Sequence, residues 1–245
     1  MLRIYALSVL FLLPLVGAAQ QSLQQQKDSL RRVIALAEGE EKLRSYPRLV
    51  GLYMPDVWQE HVIDTIFAIY DEVDAEARQQ GNLSYQGLAR VNKLMALANK
   101  QVYDEIIRQA PEYLDFLAVN KLWRPYGQAY FLLIEAYRSK GEYEQALHEA
   151  QTLYSYAKER QEAGGMGMAF YAMARIYSRQ RRFAEQEKCL RESMALLQDS
   201  TLYLNTLANV YTGLGYNLVA QQRYDEALQI AAESEDVNRR YEKAS

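Results

Sequence analysis

One spacing constrains this chain more than any other feature. Stretches that resemble one another start near positions 87, 127, 167 and 208, at intervals of 40, 40 and 41 residues. Tyr130, Leu133, Tyr137, Gly141, Tyr143, Ala146 and Ala150 of one stretch match Tyr211, Leu214, Gly215, Leu218, Tyr224, Ala227 and Ala231 of another. The stretch from Gly167 keeps Phe170, Met173, Ala174, Tyr177, Phe183 and Leu190, with Arg181 at the turn glycine's place and Gln186 at the small residue's. From Gly87, Leu94, Leu97, Tyr103 and Ala110 are kept, and Ile106 takes the small position. Repetition at such a period means that each unit covers its apolar face only by stacking on its neighbours.

The units are written in the vocabulary of helices. Only 12 Gly and 5 Pro interrupt 245 residues, and Ala, Leu, Glu, Gln, Arg and Tyr dominate. Tyr143, Ala146, Leu147, Ala150, Leu153, Tyr154 and Ala157 recur at spacings of three and four before Gly164-Gly165, the mark of an amphipathic helix and its stop. Further breaks at Pro55, Gly81-Asn82, Asn120, Lys140-Gly141 and Asp199-Ser200 leave helices of about 15 to 22 residues. Pro111 is expected to interrupt and kink its helix, whereas Pro125 falls at a helix start, where the missing N–H is harmless.

These matches resemble the tetratricopeptide repeat, in which an aromatic residue, Leu-Gly and Tyr lie on a first helix and Gly-x-Tyr and Ala follow across a turn. The resemblance covers residues 87–243 and, more weakly, 40–80. It implies an all-α fold, a right-handed α-solenoid of antiparallel helix pairs, with units starting near 43, 87, 127, 167 and 208 after a leading helix over 20–40. The family's usual period is about 34, so the excess is assigned to longer helices, chiefly the second of each pair. Gly215 opposite Ala227 is expected to let two backbones approach closely.

The N-terminus carries Arg3, an apolar run from Ile4 to Val16, and Gly17-Ala18-Ala19 ahead of polar Gln20-Gln21-Ser22. That order predicts an export signal cleaved after Ala19; the rival is an uncleaved N-terminal anchor, but sixteen residues from Ile4 to Ala19 fall short of the ~20 of a spanning helix. No cysteine directly follows the apolar run to carry a lipid. The expected product is exported and periplasmic or extracytoplasmic, with 27 Lys+Arg against 31 Asp+Glu once Arg3 is removed. An acidic chain offers no general field for nucleic acid. Cys189 has no partner in the chain and is expected to be a buried small hydrophobe.

Catalytic constellations are missing from the pattern. His61 and His148 stand far apart and lack metal-type spacing, no Gly-x-Ser-x-Gly occurs, and Gly164-Gly165-Met166-Gly167 is followed by no Lys-Ser/Thr. The glycine run is taken as a connector between helix pairs. Asn82-Leu83-Ser84 matches a glycosylation acceptor, with helix capping as the plainer explanation. No enzyme, cofactor or metal is expected.

In tetratricopeptide proteins the second, fifth, ninth, twelfth and thirteenth residues of each unit face a concave groove. Carried over, the resemblance places Gln128, Phe131, Glu135, Arg138 and Ser139 there, then Met168, Tyr171, Arg175, Ser178 and Arg179, then Asn209, Thr212, Tyr216, Val219 and Ala220. Leu88, Val91, Met95, Ala98 and Asn99 are the Gly87 unit's share. Aromatic side chains with arginine favour protein contacts. The Lys/Asn clamp of chaperone-binding members is absent, since its positions hold Phe131 with Glu135, Tyr171 with Arg175, and Thr212 with Tyr216. Arg175, Arg179, Arg181, Arg182, Lys188 and Arg191 concentrate positive charge, either a solvated face or a site for an acidic peptide segment or an anionic small molecule.

The expectation is a non-catalytic binding module whose groove holds an extended peptide, a partner helix or a small ligand. Export signal, period and tyrosine content together are similar to extracytoplasmic sensory regions of membrane-bound regulators in Bacteroidetes-type bacteria, with membrane attachment only through the signal or a C-terminal region beyond Ser245. A stand-alone scaffold is the alternative, followed by intracellular pheromone receptors and, last, an enzyme.

Overall fold

A computed structural model describes residues 22–244, the side chains of 238 and 240–244 excepted. The expected export signal, 1–19, lies outside the described residues. Helix α1 spans residues 22–36. It is followed by α2 (Gly39–Gly51), a 3-10 turn (Met54–Asp56), α3 (Glu60–Gln79), α4 (Leu83–Lys100), α5 (Tyr103–Val119), α6 (Trp123–Lys140), α7 (Tyr143–Glu159), α8 (Ala163–Arg179), α9 (Phe183–Leu197), α10 (Leu204–Ala220) and α11 (Tyr224–Ala244). Among the described residues there is no strand. None of these helices is long and apolar enough to cross a membrane.

Helix starts at 83, 123, 163 and 204, and at 103, 143, 183 and 224, repeat at the sequence's own intervals. Inside that period lies a half-period. Residues with left-handed φ recur at Gly81, Gln101, Lys121, Gly141, Gln161 and Arg181, every twenty positions, and again at Gln222. The closures at Gly141 and Arg181 share one form: Gly141 N–H donates to Arg138 O at 3.1 Å and Glu142 N–H to Tyr137 O at 3.0 Å, as Arg181 and Arg182 do to Ser178 and Tyr177. Such a Schellman closure satisfies the last carbonyls of one helix and reverses the chain for the next. Because a turn comes every twenty residues, the added length is shared between helices and is not concentrated in the second of each pair: α6 and α7 have 18 and 17 residues, α8 and α9 have 17 and 15. The first helices start about one turn ahead of Gly127 and Gly167.

The chain divides into two compact units after Lys100. In the first, α3 turns Val62, Ile63, Ile66, Ile69, Tyr70, Val73 and Ala77 inward, onto Leu43, Tyr46 and Leu49 of α2 and Ala89 and Ala96 of α4. Lys42–Glu76 at 2.6 Å and Arg90–Asp74 at 2.5 Å tie the same helices at their edges. The expected capping at Asn82 is present, its Oδ1 accepting from Tyr85 N–H at 3.2 Å.

In the second unit each helix from α5 to α11 packs on the next, and the first helices of successive pairs also touch, α6 with α8 and α8 with α10. This is the packing of a helical solenoid. Three sequence expectations are corrected here. Helix α5 runs through Pro111 without interruption; the ring removes one backbone hydrogen bond, but buried Ile106, Ala110, Leu114 and Leu117 hold the helix on both sides of it. The glycine run Gly164–Gly167 is no connector and forms the first turn of α8. Gly215 is not at a close crossing, since a Cβ there would meet nothing within 4 Å.

Candidate interaction surface

The close approach that Gly215 does not provide is provided by α8. A Cβ on Gly167 would lie 2.6 Å from Leu197 of α9, and Ser193 Oγ of the same helix donates to Gly167 O at 2.8 Å. A side chain on Gly164 would collide with the ring of Tyr203. Glu162 caps the helix through Gly165 N–H at 2.5 Å and accepts from Tyr203 Oη at 3.5 Å. Three glycines thus let α8 sink between its neighbours, which sets the depth at which Tyr171 and Arg175 emerge one and two turns later.

Across the α6–α8 contact the expected groove residues meet one another. Phe131 and Tyr171 stack with ring centroids 5.8 Å apart and planes 4° from parallel. Glu135 accepts twice from Arg175, Nε to Oε1 at 3.0 Å and Nη2 to Oε2 at 2.5 Å. It also accepts twice from Arg138, at 2.9 and 2.8 Å. Arg175 Nη1 donates to Tyr171 Oη at 3.2 Å. Burial works against the Arg175 charge, and Glu135 and Tyr171 more than restore it, so its pKa is raised. Two guanidinium groups on one carboxylate leave one positive charge in excess. Met168 rests on Gly127, its Sδ 3.7 Å from where a Cβ would stand. Phe131, Glu135, Arg138, Met168, Tyr171 and Arg175 therefore act first on each other, joining one repeat to the next.

Gln128 is half-buried on α6, outside this cluster, and Arg179, Asn209, Thr212 and Tyr216 are exposed. Of the arginine-rich stretch, Arg182 pairs with Glu185 at 2.7 Å and Arg191 with Glu187 at 2.8 Å. His61 and His148 lie exposed on helices. Cys189 is buried, and burial pushes its thiol up to about 11. Among the described residues no group of three or more His, Cys, Asp or Glu side chains gathers as a metal requires.

Thr212 and Tyr216 open on a different feature, a cavity of about 520 Å³ between α10 and α11 that Val219, Tyr224, Leu228 and Ala231 also line. Its walls expose an apolar surface: Tyr216 is 74% exposed, Leu228 71% and Tyr224 59%. Tyr224 and Leu228 lie on a second helix, where the groove rule does not look. A signal was nevertheless present in the register. Forty-one residues before Leu228 stands Glu187, which accepts from Arg223 at 2.5 Å and Gln221 at 3.2 Å, and forty-one before Tyr216 stands Arg175. Where one repeat carries charged anchors for its neighbour, the next carries bare apolar side chains. Exposed apolar patches of this kind mark interaction sites.

The fold is an all-α helical repeat of successively packed helices. BtubC (BKLC) from P. vanneervenii is similar, with a TM-score of 0.61 over 89% of each chain at 11% identity. MamA, residues 41 to the end, from Desulfovibrio magneticus RS-1 covers 71% of this chain, with 96% of its own length aligned, at 14% identity and a TM-score of 0.46. At 11% identity the likeness to BtubC is one of fold alone. No protein-family model matches the sequence, and no curated protein matches it.

Proposed function

We propose that the chain is a non-catalytic, exported interaction module, the protein-sensing part of a bacterial signalling or regulatory protein, and that it holds its partner at the α10–α11 groove. The observation that carries this reading is the cavity of about 520 Å³ with Tyr216, Tyr224 and Leu228 exposed on its walls. An apolar protein segment entering there gains the burial that the described residues leave unused. Export is supported by the order Arg3, Ile4–Val16 and Gly17-Ala18-Ala19 in the sequence.

Fractionation of the native host followed by N-terminal sequencing tests the first half; Gln20 as the mature first residue is the expected result, and a cytoplasmic protein retaining Met1 overturns it. Photo-crosslinking from Thr212 tests the second. A discrete adduct is expected with the wild type and its loss with Tyr216→Asp/Leu228→Asp at an unchanged thermal midpoint; an adduct that persists in the double variant removes the groove from the mechanism.

A further inference from the structure

Helix α11 repeats the opening of α7. Tyr143, Ala146, Leu147 and Ala150 of α7 stand two repeats before Tyr224, Ala227, Leu228 and Ala231 of α11, and the four residue types are the same. Their surroundings differ. Helix α8 packs on α7, where Ala150 is fully buried and Tyr143 and Leu147 are half-buried, whereas Tyr224, Leu228 and Ala231 are all exposed. Among the described residues no helix lies on α11 as α8 lies on α7. One face thus occurs twice in the chain, once covered by a helix and once bare.

The α7–α8 contact shows how such a face is covered. A Cβ on Gly165, in the first turn of α8, would lie 2.9 Å from Ala157 near the end of α7, and Phe170 further along meets Tyr154 with ring centroids 5.0 Å apart. The course is antiparallel and carries the later turns of α8 back along Leu147 and Tyr143. On its other flank α8 meets α6, with Tyr171 on Phe131 and Arg175 on Glu135. In α10, Thr212, Tyr216 and Val219 take the places of Phe131, Glu135 and Arg138, and they line the cavity of about 520 Å³ together with Tyr224, Leu228 and Ala231. That cavity is the α6–α7 seat of α8, moved on by two repeats.

Two departures from the α6–α7 seat define the occupant. Glu235 stands in the place of Tyr154, so the residue corresponding to Phe170 meets a carboxylate, which a basic side chain complements. Tyr216 stands in the place of Glu135, so the residue corresponding to Arg175 meets an exposed ring, against which an aliphatic side chain is buried.

We infer that the α10–α11 groove seats an amphipathic helix of a partner protein, antiparallel to α11, with a basic residue about two turns from its start, over Glu235, and aliphatic residues in the turns that follow, over Tyr216 and Leu228. This rests on the reading that the groove holds a protein segment, and it adds the segment's conformation, direction and chemistry.

Fluorescence anisotropy with labelled synthetic peptides tests the inference. The probe is the α8 segment Ala163–Arg179 carrying Phe170→Arg and Arg175→Leu, and a second peptide adds Ala172→Pro, which breaks the helix. Saturable binding of the first below about 1 mM is expected, with the proline peptide weaker by about tenfold or more. Leu228→Asp in the protein should weaken binding by about tenfold, and Glu235→Arg by about threefold, more at low salt. Both side chains are exposed, so an unchanged melting curve of each variant is expected. The inference is overturned if the first peptide does not saturate, if the proline peptide binds as well, or if Glu235→Arg leaves the affinity unaltered. A dimer in sedimentation equilibrium that Leu228→Asp dissolves makes a second copy the occupant and overturns it too. Failure of the peptide beside an intact Thr212 adduct removes the helix alone, whereas absence of that adduct removes the groove itself.

Discussion

Glu135 and Arg175 are forty residues apart in the chain and bonded at both ends of their planar groups, at 3.0 and 2.5 Å. The separation equals one repeat, so the pair reports directly that α6 and α8 are in register. Glu135 also holds Arg138, whose side chain is 9% exposed.

Removing the carboxylate should therefore cost more than removing the outer arginine. Glu135→Ala leaves a buried guanidinium without its partner and is expected to lose about 1–3 kcal/mol, since hydrogen bonds to charged groups are of that order. Arg175→Ala should lose about 1 kcal/mol or less, because its side chain is 38% exposed and water screens what it leaves behind. Urea unfolding of both variants measures the difference, and the reverse order would refute the assignment of Glu135 as the shared anchor.

Two glycines should respond in opposite directions. Gly167→Ala puts a methyl 2.6 Å from Leu197 and is expected to destabilise by roughly 1–3 kcal/mol through overpacking. Gly215→Ala meets nothing within 4 Å and should stabilise by about 0.5–1 kcal/mol, the ordinary gain of alanine in a helix interior. Thermal midpoints of the two variants against the wild type make the comparison.

Left-handed turns occupied by long side chains are a small reserve of stability. Gln161 and Arg181 hold φ of 54° and 57°, conformations that glycine adopts without a Cβ penalty. Gln161→Gly and Arg181→Gly should each raise stability by up to about 1 kcal/mol. A loss in both would mean that these side chains contribute contacts beyond the turn.

Alkaline pH should weaken the fold, in part through Cys189. Burial raises its thiol from 9.0 to about 11. Between those values the unfolded chain releases the proton and the folded chain keeps it, so stability falls as pH rises through the interval. Burial likewise raises Tyr70, Tyr126 and Tyr203 to about 12, extending the loss upward. Cys189→Ala should flatten the early part of the decline in equilibrium unfolding measured from pH 8 to pH 11. In the native protein at pH 8 a thiol reagent should label Cys189 far more slowly than in denaturant.

Much of this molecule is present in one dimension. Spacings of three and four among Tyr143, Ala146, Leu147 and Ala150 already define a helix face, and the recurrence at 40, 40 and 41 residues is the spacing of the helix starts at 83, 123, 163 and 204. Phe131 and Tyr171, like Glu135 and Arg175, hold equivalent positions of successive repeats, forty residues apart. Such features are legible because helix periodicity and repeat register depend on local chain geometry, which each residue type expresses by itself.

Other features depended on what lies opposite. Gly215 and Gly167 are the same residue in similar helices, yet only Gly167 has Leu197 against it. Nothing in the letters Gln101, Lys121 or Gln161 announces a left-handed turn, because the need for one arises from two helices packing back to back. Lys27 is a surface residue type that a tertiary contact with Tyr53 has buried. Periodicity specifies which face of a helix is apolar, but the neighbour that covers it, or leaves it bare as at Tyr216 and Leu228, is set by contacts between residues far apart in the chain. Those contacts exist only once the chain is packed, and so the tertiary structure alone decided them.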